Sequence, residues 1–129
     1  MFKINHPIIK NRLWFAGYYW ANSAIPSQYK RFIDDFIWEH GWHKNNHMPS
    51  SLEKNLQYAR TGDFIALKYS SKKGTIVKAV GVISNIEICR KKFRVKWLKV
   101  DMNLKLDKIY LRTLEPSTSE DEKRVLDVL

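Results

Sequence analysis

The spacing of apolar residues predicts an amphipathic helix in the first third of the chain. The residues that share one helical face are Tyr29, Phe32, Ile33, Phe36 and Ile37. Ser27 is a typical N-cap residue, and Gly41 is a typical glycine after a helix C-terminus. We therefore expect a helix over residues 27–40.

The remaining patterns predict a second, short helix and five strands. Ser50 and Glu53 match a capping box, in which each side chain satisfies a free amide at the start of a helix over residues 50–59. Runs of apolar, β-branched and aromatic residues between polar turns predict strands over residues 12–17, 64–69, 76–88, 93–100 and 108–111. We expect the third of these strands to bend near residues 81–85, because a long straight strand would outrun its neighbours.

One strand, two helices and a run of strands describe a small α+β domain. We expect a strongly bent or closed β-sheet with two flanking α-helices, since no segment after residue 62 could supply a crossover helix between parallel strands. Residues 1–116 are expected to form this domain, and residues 117–129 a polar tail or a linker to a further domain. No apolar run approaches the roughly 18 to 20 residues that span a bilayer, and no signal-peptide pattern is present, so we expect a cytoplasmic protein.

The charge of the chain favours a polyanionic partner. The sequence holds 23 Lys and Arg against 13 Asp and Glu, which gives a formal net charge of +10 and a pI of about 9.8. Residues 117–129 contain four acidic and two basic residues, so residues 1–116 keep 21 basic against 9 acidic residues, a net charge of +12. The positive charge therefore belongs to the folded domain, as in proteins that bind nucleic acid.

Catalytic and metal-binding chemistry finds little support in the residue pattern. Three histidines stand at spacings that zinc tolerates: His40, His43 and His47. Cys89 is the only cysteine, and no second cluster completes a metal site. Asp63 and Lys68 imitate part of a nuclease motif, but Ala66 stands where a second metal-binding carboxylate is needed. With no glycine-rich phosphate loop either, we expect no enzyme activity, no cofactor and no metal.

Aromatic residues are concentrated in the first third of the chain, in a window too polar to be only core. Four of the five tryptophans lie between residues 14 and 42. Rings on a basic surface are typical of proteins that stack on nucleobases. Three aromatic residues are expected in the core: Trp14, Phe15 and Trp97. Trp20, Trp38 and Trp42 have polar, loop-like neighbours and are expected to bind a base.

Several motifs resemble, in the same order, the EVE-type branch of the PUA and YTH superfamily, as in the N-terminal domain of McrB-like modification-dependent restriction GTPases. These motifs are Trp14-Phe15-Ala16-Gly17-Tyr18-Tyr19-Trp20, Ile37-Trp38-Glu39-His40-Gly41-Trp42, Gly62-Asp63-Phe64-Ile65-Ala66-Leu67-Lys68, Ala79-Val80-Gly81-Val82-Ile83 and Val95-Lys96-Trp97. The resemblance implies a PUA-like β-barrel with flanking helices that flips a modified base into an aromatic pocket. It also implies an AAA+ GTPase motor and a nuclease subunit as partners.

The residues and the resemblance together assign a binding site. The expected base-pocket residues are Tyr18, Tyr19, Trp20, Trp38, Trp42 and Asp63. The expected phosphate contacts are Lys44, Lys68, Lys72, Lys73, Arg90, Lys91 and Lys92. Asp63 is expected either to hydrogen-bond the base edge or to cap its own turn. Trp38 lies at the boundary of the helical apolar face, so we expect it to be only partly buried.

The function predicted from these observations is non-catalytic reading of a modified, methylated base in DNA, as the targeting module of a restriction system. Two alternatives remain open. The first is an RNA-binding module of the same superfamily. The second is a protein-interaction domain in which the aromatic residues anchor a partner. Weak salt dependence of binding would favour the second alternative, because phosphate contacts release counterions.

Overall fold

The structure, a computed structural model, describes residues 12–18, 28–40, 49–87 and 92–129. Its elements in chain order are β1 (Leu13–Gly17), α1 (Gln28–Asp35), β2 (Ile37–Glu39), α2 (Ser50–Tyr58), β3 (Phe64–Ser71), β4 (Gly74–Ile86), β5 (Lys92–Lys99), β6 (Leu104–Leu106), β7 (Leu114–Pro116) and α3 (Ser119–Leu126). The expected α+β class is confirmed, and α3 is an additional helix.

The seven strands of the described residues form one sheet, in the order β2-β5-β4-β3-β1-β7, with β6 paired to the first part of β4. β1 and β3 run parallel, and the other pairs are antiparallel. The chain between β1 and β3, which includes α1, β2 and α2, is the crossover that a parallel pair requires. The sheet therefore places the ends of β1 and β3 side by side.

The sheet curls so strongly that strands far apart in its order touch each other. β2 and β1 are separated by three strands, which in a flat sheet would place them roughly 19 Å apart. The indole N–H of Trp38 on β2 nevertheless donates to the carbonyl oxygen of Gly17 on β1, at 3.0 Å. Register shifts in β4 between Val80 and Gly81 and after Ile83 supply part of this curvature, which confirms the bend expected near residues 81–85.

Both faces of β1 are buried, each in a separate apolar core. Trp14 and Ala16 face the first core, which α1 and α2 cover through residues such as Phe32. Leu13 and Phe15 face the second core, together with side chains of β6, of the segment before β7 and of α3. The alternation of side chains along a strand explains this division. The expected burial of Trp14 and Phe15 is thus confirmed, and Trp97 packs half-buried against the first core.

The helix predicted over residues 27–40 is shorter than expected. It ends at Asp35, and Phe36 takes a left-handed backbone conformation with φ of 55°. Ile37–Glu39 then pair with β5 instead of continuing the helix. The sheet partner overrides the helical periodicity here, since Trp38 gains the aromatic contact of Phe93 across the strand pair, at 5.3 Å between ring centroids.

Three further expectations need correction. The second helix forms over Ser50–Tyr58, but its N-cap is Pro49, without a side-chain hydrogen bond, so the capping box is wrong. Residues 108–111 do not form the expected strand. They lie in the segment between β6 and β7. Residues 117–129, expected as a tail or linker, contain α3, whose Val125 is fully buried in the second core.

Candidate nucleic-acid-binding site

Trp38 lies where the curled sheet brings β2 against the end of β1. The side chain is fully buried, which contradicts the partial burial expected from the sequence. Its indole N–H is bonded to Gly17, and its ring packs between Phe93 and the buried His40. The Trp38 indole is therefore held in the core at the junction of β1 and β2, bonded to the residue before Tyr18.

Tyr18, the residue after Gly17, is half-buried at the edge of the first core. Its ring centroid lies 5.5 Å from that of Tyr29 and 6.3 Å, edge-on, from that of Tyr69. Burial and these two neighbouring tyrosines raise the pKa of Tyr18 above its ordinary value. We call Tyr18, Tyr29 and Tyr69 the tyrosine cluster.

Hydrogen bonds of Tyr29 hold the tyrosine cluster in place. The Tyr29 hydroxyl accepts the backbone N–H of Asp101 at 2.7 Å and lies 3.0 Å from the Asp101 carboxylate, to which it donates. These hydrogen bonds fix the Tyr29 ring in its contact with Tyr18. The sequence did not indicate Tyr29 or Tyr69 as site residues, because Tyr29 belongs to a helical core pattern and Tyr69 to a strand. Only the fold brings them to Tyr18.

Asp63 fulfils the turn-capping alternative. Its carboxylate accepts the Trp14 indole N–H at 2.9 Å and the backbone N–H groups of Arg12 and Arg60, at 3.2 and 2.9 Å. The residue is buried. With three protein donors on its two oxygens, Asp63 fixes the turn before β3 and the start of β1, so the base-edge contact expected for it is not supported.

Lys68 is a buried anchor and not an exposed phosphate contact. The residue is only 4% exposed, and its ammonium group donates to the carbonyl oxygens of Tyr110 and, at 2.8 Å, Arg112. Burial lowers its pKa to about 8, although the nearby Glu115 carboxylate acts in the opposite direction. The strand register places Lys68 opposite Gly17, so this anchor lies under the end of β1.

The other expected phosphate contacts that the structure describes lie on the surface. Lys72 and Lys73 are exposed in the two-residue turn between β3 and β4. Lys92 is half-buried at the start of β5, opposite Glu39. The outward positions of β5 add Arg94 and Lys96, which the sequence analysis did not select. Their signal was the alternation of basic and apolar residues from Lys92 to Trp97.

Several predicted site residues lie outside the described residues: Tyr19, Trp20, Trp42, Lys44, Arg90 and Lys91. In the part of the chain that is described, no group of three or more His, Cys, Asp or Glu side chains could hold a metal ion. His43 and His47 also lie outside that part. Among the described helices, none is long and apolar enough to cross a membrane.

Comparison with known proteins bears on the fold. No protein-family model and no curated protein matches the chain. A solved structure that matches is the YTH domain of the Zygosaccharomyces rouxii MRB1 protein, in complex with N6-methyladenosine RNA. The TM-score is 0.54 at 16% sequence identity, and the match covers 98% of this chain and 90% of that chain. The protein therefore has a YTH-like, PUA-like fold, as the resemblance implied.

Proposed function

We propose that the protein is a non-catalytic reader of nucleic acid that carries a modified base. The observation that carries this proposal is the junction of β1 and β2, where the half-buried Tyr18 ring follows Gly17, whose carbonyl oxygen accepts the indole N–H of the fully buried Trp38. An accessible aromatic ring such as that of Tyr18 offers a base about 1 to 3 kcal/mol of stacking free energy. A methyl group on the base adds apolar area that such a site favours by roughly 1 kcal/mol.

The pocket would be completed by the chain that follows each strand. The sequence continues from Tyr18 into Tyr19 and Trp20, and from His40 into Gly41 and Trp42. Their place in the pocket stays a prediction. The net charge of +12 over residues 1–116 supports a polyanionic ligand, and the exposed lysines of the β3–β4 turn supply phosphate contacts.

The first candidate ligand is a methylated base in DNA. The role of targeting module in a restriction system, with an AAA+ GTPase motor and a nuclease subunit as partners, is supported only by the sequence resemblance to EVE-type domains. The second candidate is a modified base in RNA. One specific observation favours it, since the matching YTH domain was solved in complex with N6-methyladenosine RNA.

The test compares matched oligonucleotides by fluorescence anisotropy. The set contains a DNA duplex, a DNA single strand and an RNA single strand, each with N6-methyladenine, with 5-methylcytosine or unmodified. We expect tighter binding of at least one modified member than of its unmodified twin. Equal affinity within every pair would contradict the proposal and leave only nonspecific binding to polyanions.

A pair of tyrosine variants locates the site. Tyr18→Ala should abolish most of the preference for the modified base, because it removes a ring of the proposed pocket. The matched control is Tyr58→Ala, which removes a 54% exposed tyrosine from α2, outside the tyrosine cluster. If both variants kept the preference unchanged, the pocket would lie elsewhere on the protein.

A further inference from the structure

The segment between β6 and β7 presents two large apolar side chains to solvent. Leu111 is 78% exposed, more than any other large hydrophobic residue in the described part of the chain, and Ile109 is 40% exposed. We call Ile109 and Leu111 the apolar tip. Single exposed apolar residues are common in proteins, so exposure alone assigns no role to the tip.

The apolar tip stands on a rigid base. Tyr110, between the two tip residues, is buried, and its ring centroid lies 4.2 Å from the ring centroid of Phe15. Its backbone N–H donates to the Thr75 hydroxyl at 2.9 Å, and its own hydroxyl donates to the Asp121 carboxylate at 2.6 Å. These bonds hold the backbone between the two exposed side chains in place.

The buried ammonium group of Lys68 serves the same base. It donates to the carbonyls on either side of Leu111, those of Tyr110 and Arg112. Burying a charged group costs free energy unless bonds compensate for it. Here the compensating bonds all go to the segment that carries the tip. The buried Lys68 ammonium group thus holds the backbone on both sides of Leu111, the most exposed large apolar residue in the described part of the chain.

The segment that carries the apolar tip is also hydrogen-bonded to the end of β1. The backbone N–H of Gly17 donates to the Thr113 carbonyl at 2.9 Å, and β1 runs antiparallel to β7 from there. Leu111 is two residues before Thr113, so its backbone lies within about 7 Å of the residue that bonds the end of β1. Lys108 and Arg112, both exposed, flank the tip with positive charge.

We propose that the apolar tip is a wedge that enters the base stack of a DNA duplex when the modified base is flipped out. This inference rests on the proposed function and specifies its substrate as a duplex. Flipping a base costs a few kcal/mol of unstacking and leaves a gap, which inserted apolar side chains fill in other proteins that deform DNA. Lys108 and Arg112 then face the phosphates on either side of the gap. A single strand has no such gap.

The test uses the full chain with the variants Leu111→Ala and Leu111→Lys, and Leu129→Ala as the control. Leu129 is exposed at the far end of the chain, after α3. The probes are a DNA duplex with one N6-methyladenine or one 5-methylcytosine, and the corresponding modified single strands. We expect Leu111→Ala to weaken binding of the preferred modified duplex about tenfold, the equivalent of about 1.4 kcal/mol. Binding of the single strand should stay unchanged.

Leu111→Lys separates insertion from surface contact. A lysine that only faced phosphates would strengthen duplex binding, whereas a charged side chain in place of a wedge weakens it. Equal effects of Leu111→Ala on duplex and single strand, or stronger duplex binding by Leu111→Lys, would overturn the wedge while the proposed function stands. Preference for modified RNA with no duplex binding would also overturn it. If the wild type ignored the modification in every probe, the proposed function and the wedge would fail together.

Discussion

Lys68→Met should change how the stability of the protein depends on pH. In the folded protein burial lowers the pKa of Lys68 from 10.5 to about 8, so between these values the unfolded chain binds more protons than the folded one. The free energy of unfolding therefore rises with pH across this window. At 1.36 kcal/mol per pH unit the full effect is about 3 kcal/mol, of which about 2 kcal/mol falls between pH 7.5 and 9.5.

The assay is urea unfolding of the wild type, Lys68→Met and the exposed-lysine control Lys72→Met at a series of pH values in that range. The stability of the wild type relative to Lys68→Met should increase with pH, and it should increase more than the stability relative to Lys72→Met, because Lys72 is exposed to solvent. The range ends at about pH 9.5 because tyrosine side chains of the unfolded chain, with an ordinary pKa of about 10, begin to titrate above it. A flat or falling difference for Lys68→Met would show that the ammonium group is not desolvated, and the anchor beneath the apolar tip would lose its basis.

Three further substitutions should divide by role. Trp38→Ala should cost about 3 to 5 kcal/mol of folding stability, as for other buried tryptophans, and a small shift in the melting temperature would contradict its burial. Asp63→Ala should cost about 2 to 4 kcal/mol of folding stability, because it leaves the buried Trp14 indole N–H without an acceptor. The folded fraction should keep its preference for the modified base. Loss of this preference without loss of stability would return Asp63 to the pocket. Lys72→Ala combined with Lys73→Ala should weaken binding to every oligonucleotide and lower its salt dependence, as measured by titration at several salt concentrations. Loss of the modification preference without weaker overall binding would place this turn in the pocket.

Local patterns were sufficient for most of the sheet. The predicted strands along β1, β3, β4 and β5 are confirmed. Alternating apolar residues are typical of a strand with one buried face, and a continuous apolar run is typical of a strand with both faces buried. The bend near residues 81–85 was predictable from strand length. At Gly81 a side chain would approach the carbonyl oxygen of Lys96 to 2.6 Å, which explains the glycine there.

The sequence predicted the site less well, since contacts between distant segments decide it. Trp38 continues a helical pattern, and only pairing with β5 moves it onto a strand and into the core. Nothing in the local sequence distinguishes Lys68 from an exposed lysine, because the carbonyl oxygens that accept its hydrogen bonds lie more than 40 residues later in the chain. Residues 108–111 have strand-like composition, but side-chain hydrogen bonds to Tyr110 take the place of a partner strand.

The most direct test of the central claim is competition between a modified oligonucleotide and its unmodified twin for the wild-type protein at physiological salt. The account predicts that the modified member, in DNA or in RNA, competes more strongly, and that Tyr18→Ala removes this advantage while Tyr58→Ala keeps it. Equal competition by modified and unmodified members of every pair would contradict the claim that the junction of β1 and β2 reads a modified base.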